Sequence, residues 1–177
     1  KLPYEFGFDE YCLWQLLEGR QKGERFANPL VIQNEKYLPR DSNAYGPDIF
    51  ANFVADFIDR NKEKPFFVYY PMVLVHEPFV PTPDSEEWAD PIRRYEKDTS
   101  YFSDMVEYMD KIVGKIVDHL EQNNLSDNTI VLFTADNGTH PSILTETSFG
   151  SYWGGKGNTT DAGTWVPLIA SWPHYNT

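Results

Sequence analysis

The chain has 177 residues, of which 41% are hydrophobic, 16% aromatic and 24% charged. That supplies enough apolar material for a sizeable core and argues against a disordered chain. Fifteen Lys and Arg stand against 27 Asp and Glu, a formal net charge of -12 that disfavours binding to nucleic-acid phosphates. One cysteine, Cys12, excludes an intrachain disulfide and the two-cysteine zinc motifs. No apolar run approaches the ~20 residues that a membrane-spanning helix needs.

Residues 1–45 spread Phe6, Phe8, Tyr11, Trp14, Phe26 and Tyr37 among glycines, prolines and charges without a period. Short strands and loops are expected there. From Pro47, the apolar residues Ile49, Phe50, Phe53, Val54, Phe57 and Ile58 recur as one face of a helix. Pro47 suits the first turn, Asp48 the positive end of the dipole, and Lys62, Lys64 and Pro65 the stop. Phe66-Phe67-Val68-Tyr69-Tyr70 reads as a strand buried on both faces, because no polar residue alternates in it. Pro71 to Pro91 is a proline-rich loop, and Phe79 and Trp88 predict that it is ordered. A second helix is expected from the stripe Tyr101, Phe102, Met105, Val106, Met109, Ile112, Val113, Ile116, Val117 and Leu120, with Asn123-Asn124 as its stop. Thr129 to Thr134 reads as the next buried strand, followed by a glycine-rich loop and a third strand over Val166 to Ala170. Strand, helix and strand make a βαβ unit, whose crossover gives parallel strands in an α/β sheet flanked by helices.

In such sheets chemistry gathers beyond the carboxyl ends of the strands. The first strand exits into His76-Glu77-Pro78-Phe79 and the second into Asp136-Asn137-Gly138-Thr139-His140. If the strands are parallel, both exits lie on one edge. Asp136 and Asn137 offer oxygen ligands that suit a hard cation such as Ca²⁺ or Mg²⁺, and they equally suit an ordinary Asx-Gly turn. His76 reads either as a loop histidine bonded to a carbonyl or as an acid/base or anion-binding group. His140 shares the location with a weaker case; His119, on the second helix, is expected to be solvated, and His174 lies near the end of the sequence. Beyond Lys115 the only Lys or Arg is Lys156, in Gly154-Gly155-Lys156-Gly157. A lone cation among acidic residues suits an anionic ligand, or it is a loop lysine. Because Lys156 precedes the third strand, it reaches the same edge only if its loop folds back or that strand runs antiparallel.

Together these segments resemble the sulfatase family of the alkaline-phosphatase superfamily. The matching pieces are Phe6-Gly7-Phe8-Asp9, Pro65 to Pro71, His76-Glu77-Pro78-Phe79 and Asp110-Lys111-Ile112-Val113-Gly114. They continue with Asp127 to Gly138, Gly154-Gly155-Lys156-Gly157, Gly163, Val166-Pro167 and Trp172-Pro173. Each piece is weak; the ordered set is specific. The resemblance implies an alkaline-phosphatase-like α/β fold with a mixed, mostly parallel sheet flanked by helices, incomplete in this chain. It implies that Asp136 and Asn137 are ligands of a Ca²⁺ ion and that His76 binds a sulfate oxygen or protonates the leaving group. It also implies that Lys156 binds the sulfate, with His140 as a further substrate contact. The expected substrate is a sulfated small molecule or glycan, and the family's habit implies a periplasmic or secreted location.

Family sulfatases attack sulfur with a formylglycine made in a Cys/Ser-x-Pro/Ala-x-Arg motif. Cys12 is followed by Leu13-Trp14-Gln15-Leu16 and does not match. The nucleophile is therefore expected outside these residues, the chain is expected to be a single partial domain comprising the middle and later part of a catalytic domain, and alone it is expected to be inactive. Trp165 stands where many members have Arg, and Asp161-Ala162-Gly163 replaces a common Glu-Gly-Gly. The alternatives are a phosphatase or phosphodiesterase of the same superfamily, which generally has Asp-His in place of Asp136-Asn137, and a non-catalytic sulfatase-like binding protein.

Overall fold

A computed structural model describes residues 1–15 and 23–173. In chain order the elements are β1 (Cys12–Trp14), β2 (Val31–Gln33), β3 (Lys36–Tyr37), α1 (Gly46–Asn61) and α2 (Tyr101–Gln122). There follow β4 (Val131–Thr134), β5 (Leu144–Thr147), β6 (Gly150–Trp153), the short α3 (Asp161–Thr164) and β7 (Leu168–Ser171). The first three strands form an antiparallel meander, which agrees with the short strands expected before residue 45. No helix among the described residues is long and apolar enough to cross a membrane.

The two long helices follow from their sequences. Pro47 opens α1, Asp48 lies in its first turn and Arg60 in its last. Its predicted face is the buried one, through Phe50, Val54 and Ile58. On α2 the stripe buries Met105, Tyr108, Ile112 and Leu120. The helices pack on each other, and Tyr108 on α2 donates its hydroxyl to Asp48 on α1 at 2.8 Å. His119 was expected to be solvated; it instead reaches across to Asp59 at 2.9 Å and is half-buried.

The main core gathers Phe26, Tyr45, Leu74, Phe79, Val80, Met105, Tyr108 and Ile112. Three of these, Leu74, Phe79 and Val80, come from the proline-rich loop, so that loop is ordered by burial, as its aromatics predict. Two polar anchors clamp it to α2. Ser85 donates its hydroxyl to Asp104 at 2.6 Å, and Lys111 pairs with Asp84 at 2.7 Å. Arg94, buried, donates to the carbonyl of Ser42 at 2.7 Å and lies over the Trp88 ring.

The sheet differs from the expected βαβ unit in two ways. Phe66 to Tyr70, expected as a strand, belongs to no ladder among the described residues. It is not buried on both faces either. Phe66, Val68 and Tyr70 pack with Val131 on a cluster formed by Val54, Ile58 and Leu120, whereas Phe67 and Tyr69 are 73% and 67% exposed. Apolarity alone cannot tell a strand covered on both faces from one covered on one, so the sequence overstates its burial. Second, β4 pairs with β7 antiparallel, and every ladder among the described residues is antiparallel. The chain is α/β, with the two helices on one side of β4 and an apolar face on the other that exposes Leu132 and Leu168. Phe8 stacks against Phe67 at 6.3 Å.

Candidate active site

The antiparallel register sets the site. Thr134 at the end of β4 lies opposite Leu168 at the start of β7. The chain therefore leaves the sheet and returns to it on the same edge, and everything from Ala135 to Pro167 is launched from the carboxyl end of β4. This settles the position of Lys156: of the two routes the sequence allowed, the antiparallel strand is the one taken.

Within that excursion three backbone hydrogen bonds draw the loops together. Gly138 donates to the Gly163 carbonyl, Lys156 to the Thr139 carbonyl and Gly154 to the Ile143 carbonyl, each at 2.9 Å. The contact needs bare backbone. A Cβ on Gly138 would collide with the Ala162 carbonyl, and one on Gly154 with the carbonyls of Thr139 and His140. Glycine is the residue that allows such approach. The antiparallel hairpin β5–β6 leads away from His140 and brings the chain back to Gly154.

The Asp136 carboxylate is exposed and Asn137 is half-buried. Neither side chain, nor the Lys156 ammonium, hydrogen-bonds or ion-pairs with another described residue. Both turn residues offer oxygen only, the donor type that a hard cation takes, and Ca²⁺ takes about 6–8 such donors. The donor set fits a Ca²⁺ ion in kind but makes only part of a shell. Among the described residues no group of three or more His, Cys, Asp or Glu side chains could hold a metal.

His76 lies in the exposed part of the proline-rich loop, where the Leu74–Val75 and Glu77–Pro78 peptide bonds are cis. Its Nδ1 is 2.7 Å from the Glu77 carbonyl oxygen. A carbonyl can only accept, so Nδ1 carries the proton and Nε2 is the nitrogen left for proton exchange. The Glu77 carboxylate in turn lies 2.7 Å from Nε2 of His140. His76 is thus linked through Glu77 to His140, in the loop that follows the Asp136 turn; the parallel pairing from which a shared edge is expected is not formed among the described residues, and the link runs through the Glu77 carbonyl and carboxylate instead. Glu77 itself was not singled out from the sequence, because its partner lies far along the chain.

Cys12 is half-buried on β1, and burial pushes its thiol up to about 12. That keeps it protonated and suits no nucleophile. His174 lies outside the described residues.

The sulfatase family model matches residues 3–176. An N-acetylgalactosamine-6-O-sulfatase of Bacteroides thetaiotaomicron is 34% identical over 136 residues, covering 71% of this chain and 25% of that protein. The steryl-sulfatase of Rattus norvegicus is 32% identical over 129 residues, covering 70% of this chain and 21% of that protein. Among solved structures, Ps i-CgsB in complex with k-i-k-neocarrahexaose superposes with a TM-score of 0.62 at 29% identity, over 81% of this chain and 31% of that one. The chain thus spans a fifth to a quarter of the length of these two curated relatives.

Proposed function

The chain belongs to the sulfatase family, and on that premise we propose that the protein hydrolyses sulfate esters, with sulfated glycans as the favoured class. The glycan preference rests on the N-acetylgalactosamine-6-O-sulfatase relative and on the neocarrahexaose held by Ps i-CgsB. The observation that supports the reading is the hydrogen bond from Lys156 N–H to the Thr139 carbonyl, which holds the main chain of Lys156 against the loop that follows the Asp136-Asn137 turn.

The bond to break joins sulfur to the ester oxygen. Asp136 and Asn137 would hold a Ca²⁺ ion, which when bound supplies Lewis-acid stabilisation of the sulfate oxygens. Lys156, uncommitted to any described side chain, attracts the sulfate and stabilises charge on it in the transition state. His76 keeps its Nδ1–H on the Glu77 carbonyl and, as the doubly protonated imidazolium, gives the Nε2 proton to the departing oxygen, so that the product leaves as an alcohol and the ring returns to its neutral Nδ1–H form. The nucleophile, a formylglycine by family pattern, is supplied from outside these 177 residues, since Cys12 has neither the sequence context nor the acidity.

The test is sulfate release by the full-length protein from 4-nitrophenyl sulfate and from 6-O-sulfated N-acetylgalactosamine. Chelation should abolish it and Ca²⁺ restore it. Hydrolysis of 4-nitrophenyl phosphate instead, with two transition-metal ions bound per chain, would overturn the reading in favour of a phosphatase.

A further inference from the structure

From the contacts around Glu77 we propose that Glu77 and His140 form a clasp that positions His76 over the Asp136 turn, and that His140 is a positioning residue rather than a substrate ligand. The proposal rests on the sulfatase reading of the site and deepens it.

The contacts assign both ring nitrogens of His140. Nδ1 of His140 accepts the backbone N–H of Ser142 at 3.2 Å and lies 2.8 Å from the Ser142 hydroxyl. A nitrogen that accepts an N–H carries no proton of its own, so the ring proton of neutral His140 sits on Nε2. That proton is donated to the Glu77 carboxylate, 2.7 Å away. Both ring nitrogens are spent, and none remains for a substrate oxygen.

The clasp is also fixed in space. The His140 ring meets Phe79 edge-on at 5.8 Å, and Phe79 is buried against Phe102 of α2. The His140 carbonyl accepts the N–H of Ile143, which is buried in the main core. On the other side, Glu77 presents its carbonyl to His76 while its carboxylate holds His140. One residue therefore ties the proton-donating histidine to the turn that carries Asp136 and Asn137. The pair is too exposed to matter much for global stability, with side-chain exposures of 48% and 30%. Its value lies in alignment, where small misplacements of a reacting group slow chemistry steeply.

The experiment uses the full-length protein and the variants E77A, H140A, E77A/H140A and E77Q. A mispositioned His76 harms substrates whose leaving oxygen needs a proton and spares those whose leaving group is already stable. E77A and H140A should each lower kcat on a sugar sulfate ~10–100-fold, with KM unchanged and with 4-nitrophenyl sulfate affected under ~threefold. The double variant should be no worse than either single one. E77Q, whose amide oxygen still accepts the Nε2 proton, should recover most of the rate. Additive losses, equal losses on both substrates, or an H140A variant that raises KM alone would overturn the clasp. If the full-length protein releases no sulfate at all, the sulfatase reading falls, and nitrogen-15 spectra of the histidine rings judge the clasp alone. E77A should then shift the His140 Nε2–H and the His76 ring signals; both unchanged would overturn it.

Discussion

The backbone N–H of Lys156 rests on the carbonyl of Thr139 at 2.9 Å, although a complete hairpin separates the two in sequence. The main chain does the anchoring and leaves the ammonium uncommitted among the described residues. Lys156→Ala should therefore leave the melting temperature of the full-length protein within about a degree while lowering kcat/KM by ~10²–10³, the usual loss for a transition-state charge stabiliser. A melting temperature that falls together with activity would show that the side chain is structural.

Gly138 should tolerate no side chain. Gly138→Ala drives a methyl into the Ala162 carbonyl, so either that loop moves or the Gly138–Gly163 hydrogen bond breaks. A destabilisation of ~1–3 kcal/mol is expected, as for other overpacked sites, measurable by denaturant titration. Wild-type stability in that variant would mean that the two loops are not in contact.

Cys12 should be chemically quiet. Its thiol is raised to about 12 by burial, against about 8.5 for a free cysteine. Alkylation by iodoacetamide at pH 8 should be slower than in the unfolded chain by ~10³, the ratio of thiolate populations. Because the folded pKa is the higher one, the stability linked to this group is intact below about pH 8.5 and drains away as pH rises toward 12. Replacing Cys12 by Val should flatten the alkaline limb of a stability–pH curve.

The Glu10–Arg60 pair should show at the acid end. Arg60 forks onto both Glu10 oxygens at 2.7 and 2.8 Å, and this hydrogen bonding holds the Glu10 carboxyl below its ordinary range. The contribution is present above the ordinary carboxyl pKa near 4.3 and is lost as pH falls through the depressed value. Arg60 is 43% exposed, so Glu10→Gln should cost only ~0.2–1 kcal/mol at pH 7, less in high salt and progressively less as pH falls through the depressed Glu10 value.

The elements that could be read from the sequence are those whose apolar residues face one core. The stripe on α2 is legible because Met105, Ile112 and Leu120 are buried against helix and loop alike. The hairpin β5–β6 has no such signature: every residue of both strands is exposed, so no alternation marks it, and only Gly150, with φ 131°, hints at its turn. Phe66 to Tyr70, which the sequence presents as a strand buried on both faces, joins no ladder among the described residues and is covered on one face, because Phe67 and Val68 are equally apolar and only packing distinguishes their faces. In the candidate site, Asp136, Asn137, Lys156 and His76 carry chemistry in their own residue types. Glu77 does not, because its meaning lies in His140, a partner that no local spacing reveals.

The hairpin has a further consequence. Its base is closed by the Gly154–Ile143 hydrogen bond, so the two loops that hold Thr139 and Lys156 are joined below it and do not depend on what lies above. Doubling the length of such an excursion costs only ~0.6 kcal/mol in loop entropy. Extensions or deletions between Leu144 and Trp153 should then leave the main-chain anchor between Thr139 and Lys156 in place.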